Sequence, residues 1–279
     1  AVGALIAWTA VQSWRDGRRG GGAGGVGASA AAGDGQPAFW LPALTLAWVC
    51  IQGLFGALTV TMKLQPLIVT LHLMGGYALI VLLVLQVLAW SRAAGGTRVP
   101  APGLPAPANL RIAILAALAL LGLQAASGAW VSTNYAVLAC SDFPTCQGRW
   151  WPSADWSGFQ LWRPLGARAD GQSLDAQALV TIHQAHRALA LCTVLALLAL
   201  WQVLRDVPAV ARARRWLIAL LGLQVLTGVS NVILGWPLLA AVLHTGGAGA
   251  LVAVLVWIAA ELPVASVRGP STGWQGARA

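Results

Sequence analysis

Six apolar stretches constrain this chain more than any other feature of its sequence. Each is long enough to cross about 30 Å of hydrocarbon, which takes roughly 20 helical residues. They are Phe39–Thr61, Pro66–Trp90, Leu110–Ser132, Leu179–Leu204, Trp216–Leu234 and Pro237–Ala260. Because a backbone in lipid must satisfy its own hydrogen bonds, the prediction is an all-α, polytopic membrane helical bundle. A shorter apolar piece, Ala1–Trp14, is interpreted as the end of a helix that begins before this sequence.

The composition excludes several other classes of protein. Of the residues, 58% are hydrophobic and 9% are charged, whereas roughly a quarter are charged in soluble domains. A soluble domain, a disordered chain and a nucleic-acid-binding domain are therefore all disfavoured. The net charge of +9 comes from 17 Lys and Arg against 8 Asp and Glu, and in a membrane protein it reports topology.

The basic residues cluster in alternate connections, which predicts the orientation. By the positive-inside rule these connections are cytoplasmic. Their arginines are Arg15, Arg18, Arg19, Arg92, Arg98, Arg111, Arg205, Arg212, Arg214 and Arg215. The long connection 134–178 carries little net charge and is predicted to lie outside. The expected location is the inner (plasma) membrane of a bacterium, with multiple passes.

The outer connection holds a cysteine pair and a group of tryptophans. Cys140 and Cys146 are six positions apart in a compartment that permits disulfides, so a disulfide is favoured over a two-thiol metal site. The tryptophans suit the headgroup level of a bilayer, either as a lid or as ordinary interfacial anchors. They are Trp150, Trp151, Trp156 and Trp162.

Two consecutive spans are repeated along the chain. The segment Gln52–Gly56 aligns with Gln224–Gly228 at an offset of 172 residues, and the same offset places His72 on His244. Duplicated spans are a common way to build two related bundles. The repeat predicts two pseudo-symmetric four-helix halves, of which the first is incomplete in this sequence.

The predicted organisation follows from that repeat. Residues 1–108 form the remainder of an N-terminal half, 109–262 a C-terminal half, and 263–279 a cytoplasmic tail. A second alignment, at an offset of 190, places the counterpart of His186 and Arg187 just upstream of Ala1. The expectation is that the complete protein contains these upstream residues.

All four histidines lie inside predicted spans, where an ionisable side chain is costly and usually functional. His186 and His244 belong to one half, and two imidazoles facing each other across a bundle are typical axial ligands of haem. The alternative is that the histidines only form interhelical hydrogen bonds. His183 is a second ligand choice, a proton relay or a hydrogen-bonding neighbour, and the neighbour and relay roles are favoured over the ligand role. Arg187 is predicted to meet a haem propionate or another anion.

These residues resemble the haem A synthase family over essentially the whole chain. The resemblance is carried by the cysteine loop Thr133–Pro152, by Ile182–Arg187, and by His72 and His244 in their repeat. It implies eight transmembrane helices in two halves. It also implies oxidation of the C8 methyl group of haem O to the formyl group of haem A, for assembly of the terminal oxidase.

The resemblance also implies roles for individual residues. In the C-terminal half, a haem B cofactor would be held by His186 and His244. In the N-terminal half, His72 would be the catalytic residue and an axial ligand of the substrate haem iron, together with a Glu-x-x-His-Arg segment that this sequence lacks. The implied partners are haem O and haem O synthase, a membrane electron carrier and the lipid bilayer. A homo-oligomer is left open, and no nucleic acid is expected.

Two other functions compete with this interpretation. One is a non-catalytic dihaem b-type cytochrome that transfers electrons, and the other is a haem-free assembly scaffold. The outer cysteine pair favours the enzyme, because a simple electron-transfer bundle does not need it.

Overall fold

The described part of the chain consists mainly of six long helices. The computed structural model describes residues 40–93 and 108–262, together with residues 6, 8, 9, 11 and 12. Within this part of the chain the long helices are α1 (Trp40–Thr61), α2 (Pro66–Ala93), α3 (Ala108–Thr133), α4 (Ala176–Val203), α5 (Ala211–Ile233) and α6 (Leu238–Glu261). All six are long and apolar enough to span a membrane, which confirms the predicted helical bundle. Most of Ala1–Trp14, Arg98 and the predicted tail 263–279 lie outside the described residues.

The predicted spans agree with these helices to within a few residues. The largest difference is at the start of α5, which begins at Ala211 rather than Trp216. The apolar stretch ends where the arginines begin, but the helix can continue past this point because an arginine side chain has an apolar stem and a charged head that can find polar partners. Arg214 is an example. Its guanidinium lies 4.3 Å from the Trp201 ring centroid, and its Nε donates to the Trp201 carbonyl at 2.9 Å.

Helices α3 to α6 form a four-helix ring. Its adjacent pairs are α3 with α4, α4 with α5, α5 with α6, and α6 with α3. Helices α4 and α6 therefore occupy opposite corners. The ring closes on a buried aliphatic core in the half that lies away from the α3–α4 connection, which includes Ile114, Leu121, Leu197, Leu217, Leu251 and Leu255. Helix α2 packs outside this ring against α3 and α6, and α1 packs on α2.

The two copies of the repeat meet where α2 contacts α6. Tyr77 donates its hydroxyl to the Thr245 carbonyl at 3.0 Å. A Cβ atom on Gly249 would lie 3.0 Å from Ile80 Cδ1 and 3.3 Å from Tyr77 Cε1. Tyr77 and Gly249 are equivalent positions of the repeat, so a large residue of one copy packs on the small residue of the other. Small residues permit this close approach of membrane helices.

Arginines cap the predicted cytoplasmic end of α6. Arg92 donates to the Ala260 carbonyl at 2.5 Å, and Arg111 donates to the Leu262 carbonyl at 3.2 Å. The last carbonyls of a helix lack intrahelical donors and carry partial negative charge, which a guanidinium neutralises. These contacts tie α2 and α3 to α6 at one end of the bundle, opposite the connection that joins α3 to α4.

The connection between α3 and α4 is an ordered cap with short 3-10 turns at Ala136–Ala139 and Trp156–Phe159. Arg163 anchors it although this side chain is only 2% exposed. Its Nη2 donates to Asn134 Oδ1 at 2.6 Å and to the Gly158 carbonyl at 2.9 Å. The Gly158 carbonyl also accepts from Trp130 Nε1 at 3.0 Å. Burial lowers the pKa of Arg163, and its hydrogen-bond acceptors within the described chain are neutral oxygens.

Candidate functional site

Three histidines lie in the half of the bundle that is nearer the α3–α4 connection. His72 and His244 are each the seventh residue of α2 and α6, about 9 Å from the helix start at 1.5 Å per residue. His186 lies in α4, on the opposite corner of the ring from α6. His186 contacts Ser127 of α3, and His244 contacts Thr227 of α5. The structure thus places the predicted pair in the same ring of helices, and it places His72 at the same depth as His244 in the neighbouring α2.

Each of these imidazoles rests on a glycine of the preceding helix. A Cβ atom on Gly128 of α3 would lie 3.1 Å from His186 Cε1, and one on Gly228 of α5 would lie 3.2 Å from His244 Cε1. The corresponding distance from Gly56 of α1 to His72 Cε1 is 3.3 Å. Real Cβ contacts are rarely this short, so an alanine would press on the ring. We call these three positions the glycine seats.

Hydroxyl groups hold the rings of His186 and His244. The Ser127 Oγ lies 2.8 Å from His186 Nδ1, and the Thr227 Oγ1 lies 3.0 Å from His244 Nδ1. Each hydroxyl belongs to the residue immediately before a glycine seat. In both pairs the first contact of Nδ1 is therefore a side chain of the adjacent helix.

His72 has a different neighbour. The residue before its glycine seat is Phe55, which has no hydrogen-bonding group. In the part of the chain that the structure describes, His72 Nδ1 is buried without a hydrogen-bond partner. The repeat therefore preserves the histidine and the glycine but not the hydroxyl.

Half-buried glutamines lie one turn before the glycine seats. A Cβ atom on Gly75 would lie 1.9 Å from Gln52 Nε2, and one on Gly247 would lie 2.2 Å from Gln224 Nε2. The two glycines therefore leave room for the two amides at equivalent positions of the repeat. Gln52 Oε1 and Gln224 Nε2 are both buried without a hydrogen-bond partner among the described residues. Such unsatisfied polar atoms are uncommon in native interiors and are a feature of sites that bind a further group.

Arg187 joins α4 to the outer cap. Its Nη1 donates to the Thr145 carbonyl at 2.9 Å, and its Nη2 donates to the Asp142 carbonyl at 3.0 Å. Its Nε donates to His183 Nε2 at 3.3 Å. His183 is buried in the protein, and that nitrogen already accepts a hydrogen bond, which agrees with the interpretation of a neighbour rather than an iron ligand. The predicted role of Arg187 toward a propionate stays a prediction.

The loop that Arg187 contacts is closed by a disulfide between Cys140 and Cys146, both fully buried. The Asp142 carboxylate organises the loop from within. It accepts from Thr145 Oγ1 at 2.6 Å and from the main-chain N–H groups of Gln147 and Gly148 at 2.7 and 3.0 Å. These hydrogen bonds, with that of Thr145 foremost, lower the pKa of Asp142 to about 2. The predicted disulfide is therefore present in a loop fixed directly above α4.

The tryptophans of the cap point away from the protein. Trp151 is 88% exposed, and the other three are also exposed. This arrangement suits rings that reach the headgroup level of a bilayer. Whether they act as a lid or only as anchors stays a prediction.

The residues present fit a haem group. Two neutral imidazoles come from opposite corners of one ring of helices, as bis-histidine haem ligation requires. Glycine seats let both rings approach the backbone closely, and unsatisfied glutamine atoms lie beside them.

The surface cleft lined by Arg212, Arg215, Trp216 and Ala219 is at the basic end of α5 and contains no histidine.

Sequence reasoning missed Ser127 and Gln124, although a signal existed. The pattern Gln-x-x-x-Gly occurs a third time, in α3, at Gln124–Gly128. Gln124 Nε2 lies 3.1 Å from His186 Nδ1 and 3.3 Å from its Nε2. Each of α1, α3 and α5 thus supplies a Gln-x-x-x-Gly segment to the histidine of the helix that follows it.

Comparison with known proteins is consistent with this architecture. Residues 1–256 match a family model described as COX15-CtaA, cytochrome oxidase assembly protein. A curated relative, the haem A synthase of Shewanella oneidensis, is 39% identical to the chain over 227 residues. That alignment covers 78% of the chain and 65% of the relative, so the chain spans just under two thirds of the relative's length.

Proposed function

The chain belongs to the COX15-CtaA family of cytochrome oxidase assembly proteins, and from this premise we propose that it acts in haem A synthesis. The proposed reaction oxidises the C8 methyl group of haem O to a formyl group through two successive hydroxylations, after which the gem-diol loses water. The proposed setting is the inner membrane of a bacterium, with haem O synthase as the source of substrate and a membrane carrier as the electron partner.

The observation that carries the proposal is the pair of supported histidines in α4 and α6. His186 and His244 would hold a haem B cofactor, whose iron supplies one-electron chemistry when bound. The protein contributes the orientation of both rings through the glycine seats and hydroxyls, and a low-dielectric ring of helices around them. The cap above α4, held by Arg187, would limit the access of water to this site.

His72 would serve the substrate haem in the same framework. It has the depth of His244, the same glycine seat and the same glutamine one turn earlier, but it lies on α2, outside the α3 to α6 ring. We propose the corresponding division of the chain, with residues 1–108 as the substrate half and 109–262 as the cofactor half. The buried contact between α2 and α6 would keep the two sites in a fixed relation.

The experiment is haem spectroscopy on the purified membrane protein and three alanine variants. We expect a low-spin b-type spectrum in the wild type, its loss in His186→Ala and His244→Ala, and its retention in His72→Ala. Each variant is checked for helix content by circular dichroism, so that loss of haem is separated from loss of fold. Retention of the spectrum in His244→Ala with its loss in His72→Ala would reverse the assignment of the halves.

Turnover is tested separately, by adding haem O and a reductant and identifying the extracted haems by mass. Haem A, or the hydroxylated intermediate, is expected from the wild type but not from His72→Ala. Two permanently bound b-type haems with no altered product would instead identify an electron-transfer cytochrome. Absence of Soret absorbance would identify a scaffold.

A further inference from the structure

We propose that Ser127 and Thr227 are positioning residues that strengthen the bonds of His186 and His244 to haem iron, and that Phe55 withholds this support from His72. The inference rests on the proposed function and extends it. It explains how one repeated scaffold can hold one haem permanently and release another as product.

The direction of the hydrogen bonds can be read from the helix backbone. Ser127 donates its hydroxyl hydrogen to the Gln124 carbonyl at 2.8 Å, and Thr227 donates to the Leu223 carbonyl at 2.7 Å. A hydroxyl has one hydrogen and two lone pairs. Since each hydrogen is already committed to the backbone, each oxygen can only accept from the histidine. The Nδ1–H groups of His186 and His244 are therefore the donors.

This direction fixes the tautomer of both rings. With the proton on Nδ1, the lone pair of Nε2 is free to bind a metal. Gln124 Nε2 lies 3.1 Å from Nδ1 and 3.3 Å from Nε2 of His186, so it does not distinguish the two nitrogens, and the assignment rests on Ser127. The structure thus leaves an unprotonated Nε2 on His186.

A hydrogen bond from Nδ1–H makes the imidazole a stronger donor to the metal and fixes its orientation. Such partners of metal-binding histidines typically contribute 10- to 100-fold in metal affinity or activity. The effect should be larger for ferric than for ferrous iron, because the more charged ion gains more from a basic ligand. The two hydroxyls would therefore hold the haem of the C-terminal half tightly and lower its midpoint potential.

The repeat supplies the contrast. Ser127, Thr227 and Phe55 each precede a glycine seat, so they occupy equivalent places beside their histidines. At Phe55 a phenyl group replaces the hydroxyl, and His72 Nδ1 is buried without a partner among the described residues. His72 would bind iron more weakly, which suits a substrate haem that must leave after oxidation.

The experiment compares Ser127→Ala and Thr227→Val with two matched serine controls. Ser132 in α3 and Ser230 in α5 also donate to their own helix backbones, at 3.1 and 2.8 Å, and neither contacts a histidine in the described chain. Ser132→Ala and Ser230→Ala thus remove a helix-bonded hydroxyl without changing an axial ligand. Ser127→Thr keeps the hydroxyl and should restore wild-type behaviour.

Two readouts other than activity are measured on the haem-loaded protein: the rate of haem transfer to apomyoglobin and the midpoint potential. We expect haem affinity to fall about tenfold in Ser127→Ala, at the lower end of the usual range, and the potential to rise. A tenfold loss confined to ferric iron corresponds to about 59 mV for one electron. Phe55→Ser should have the opposite effect on haem bound in the N-terminal half and slow its release.

The outcomes separate the two proposals. A wild-type protein that binds no haem overturns the proposed function and this inference with it. A haem-loaded wild type in which Ser127→Ala and Thr227→Val match the serine controls overturns the inference alone. Failure of Ser127→Thr to restore the potential would also overturn it, because the hydroxyl and not the size of the side chain is the stated cause.

Discussion

The glycine seats make a prediction in which the test and the control lie on the same helix. Replacing Gly128 with alanine would place a methyl group 3.1 Å from His186 Cε1. The His186 ring would have to move away by a few tenths of an ångström. Replacing Gly122, also in α3, would place a methyl group 3.8 Å from Met74 Cε, which is an ordinary contact. Helix α5 offers the same comparison between Gly228 and Gly222.

The magnitude follows from two opposing contributions. An added methyl group in a well-packed site typically costs about 1–3 kcal/mol, which corresponds to roughly 5- to 150-fold in haem affinity at 1.4 kcal/mol per tenfold. Glycine to alanine in a helix also gives up to about 1 kcal/mol of helix stability. The control substitutions should therefore leave the fold equally stable or more stable and leave haem binding unchanged.

The assay is haem titration of the four purified variants, followed by the Soret band and by thermal unfolding in detergent. Gly128→Ala and Gly228→Ala should bind haem more weakly than their controls, and thermal unfolding of the haem-free state measures how much of the packing cost falls on the fold itself. Wild-type haem affinity in both Gly128→Ala and Gly122→Ala would refute the idea that close ring contact matters. An equal loss of haem affinity in both variants would refute it too, because α3 would then tolerate no added methyl group, whatever its distance from the histidine.

Two further predictions concern the outer cap. Arg163→Met should lower the free energy of unfolding by about 1–3 kcal/mol, because the buried Asn134 oxygen loses its donor. The control Arg168→Met breaks only partly exposed ion pairs and should lower it by less than about 1 kcal/mol. Equal losses of the two variants in chemical unfolding would contradict this prediction. Replacing Cys140 and Cys146 with serine should lower the free energy of unfolding by roughly 2 kcal/mol, because the unfolded chain is no longer cross-linked. It should also speed haem release. Alkylation of vesicles without reductant should label neither cysteine, and labelling from the cytoplasmic side alone would overturn the topology.

The sequence by itself determined the membrane-spanning architecture. About 20 apolar residues must be helical in lipid because no other local structure satisfies the backbone there, so the six spans could be located to within a few residues. The start of α5 was less certain, since arginines that stack on tryptophan continue a helix past the point where hydropathy ends. The repeat between His72 and His244 was also visible, because equivalent residues recur at a constant offset.

Only the tertiary structure decided which groups surround each histidine. Ser127 is 59 residues from His186 in sequence, and the Thr145 carbonyl is 42 residues from Arg187. A pattern of residue types cannot reveal such partners, because they depend on which helices are adjacent and on how each is rotated. Arg163 makes the same point: in the sequence it resembles a solvated loop arginine, but folding buries it among carbonyl oxygens. The position of a membrane span depends on the hydrophobicity of a continuous stretch of residues. The groups that contact a histidine depend instead on packing between helices that are distant in the chain.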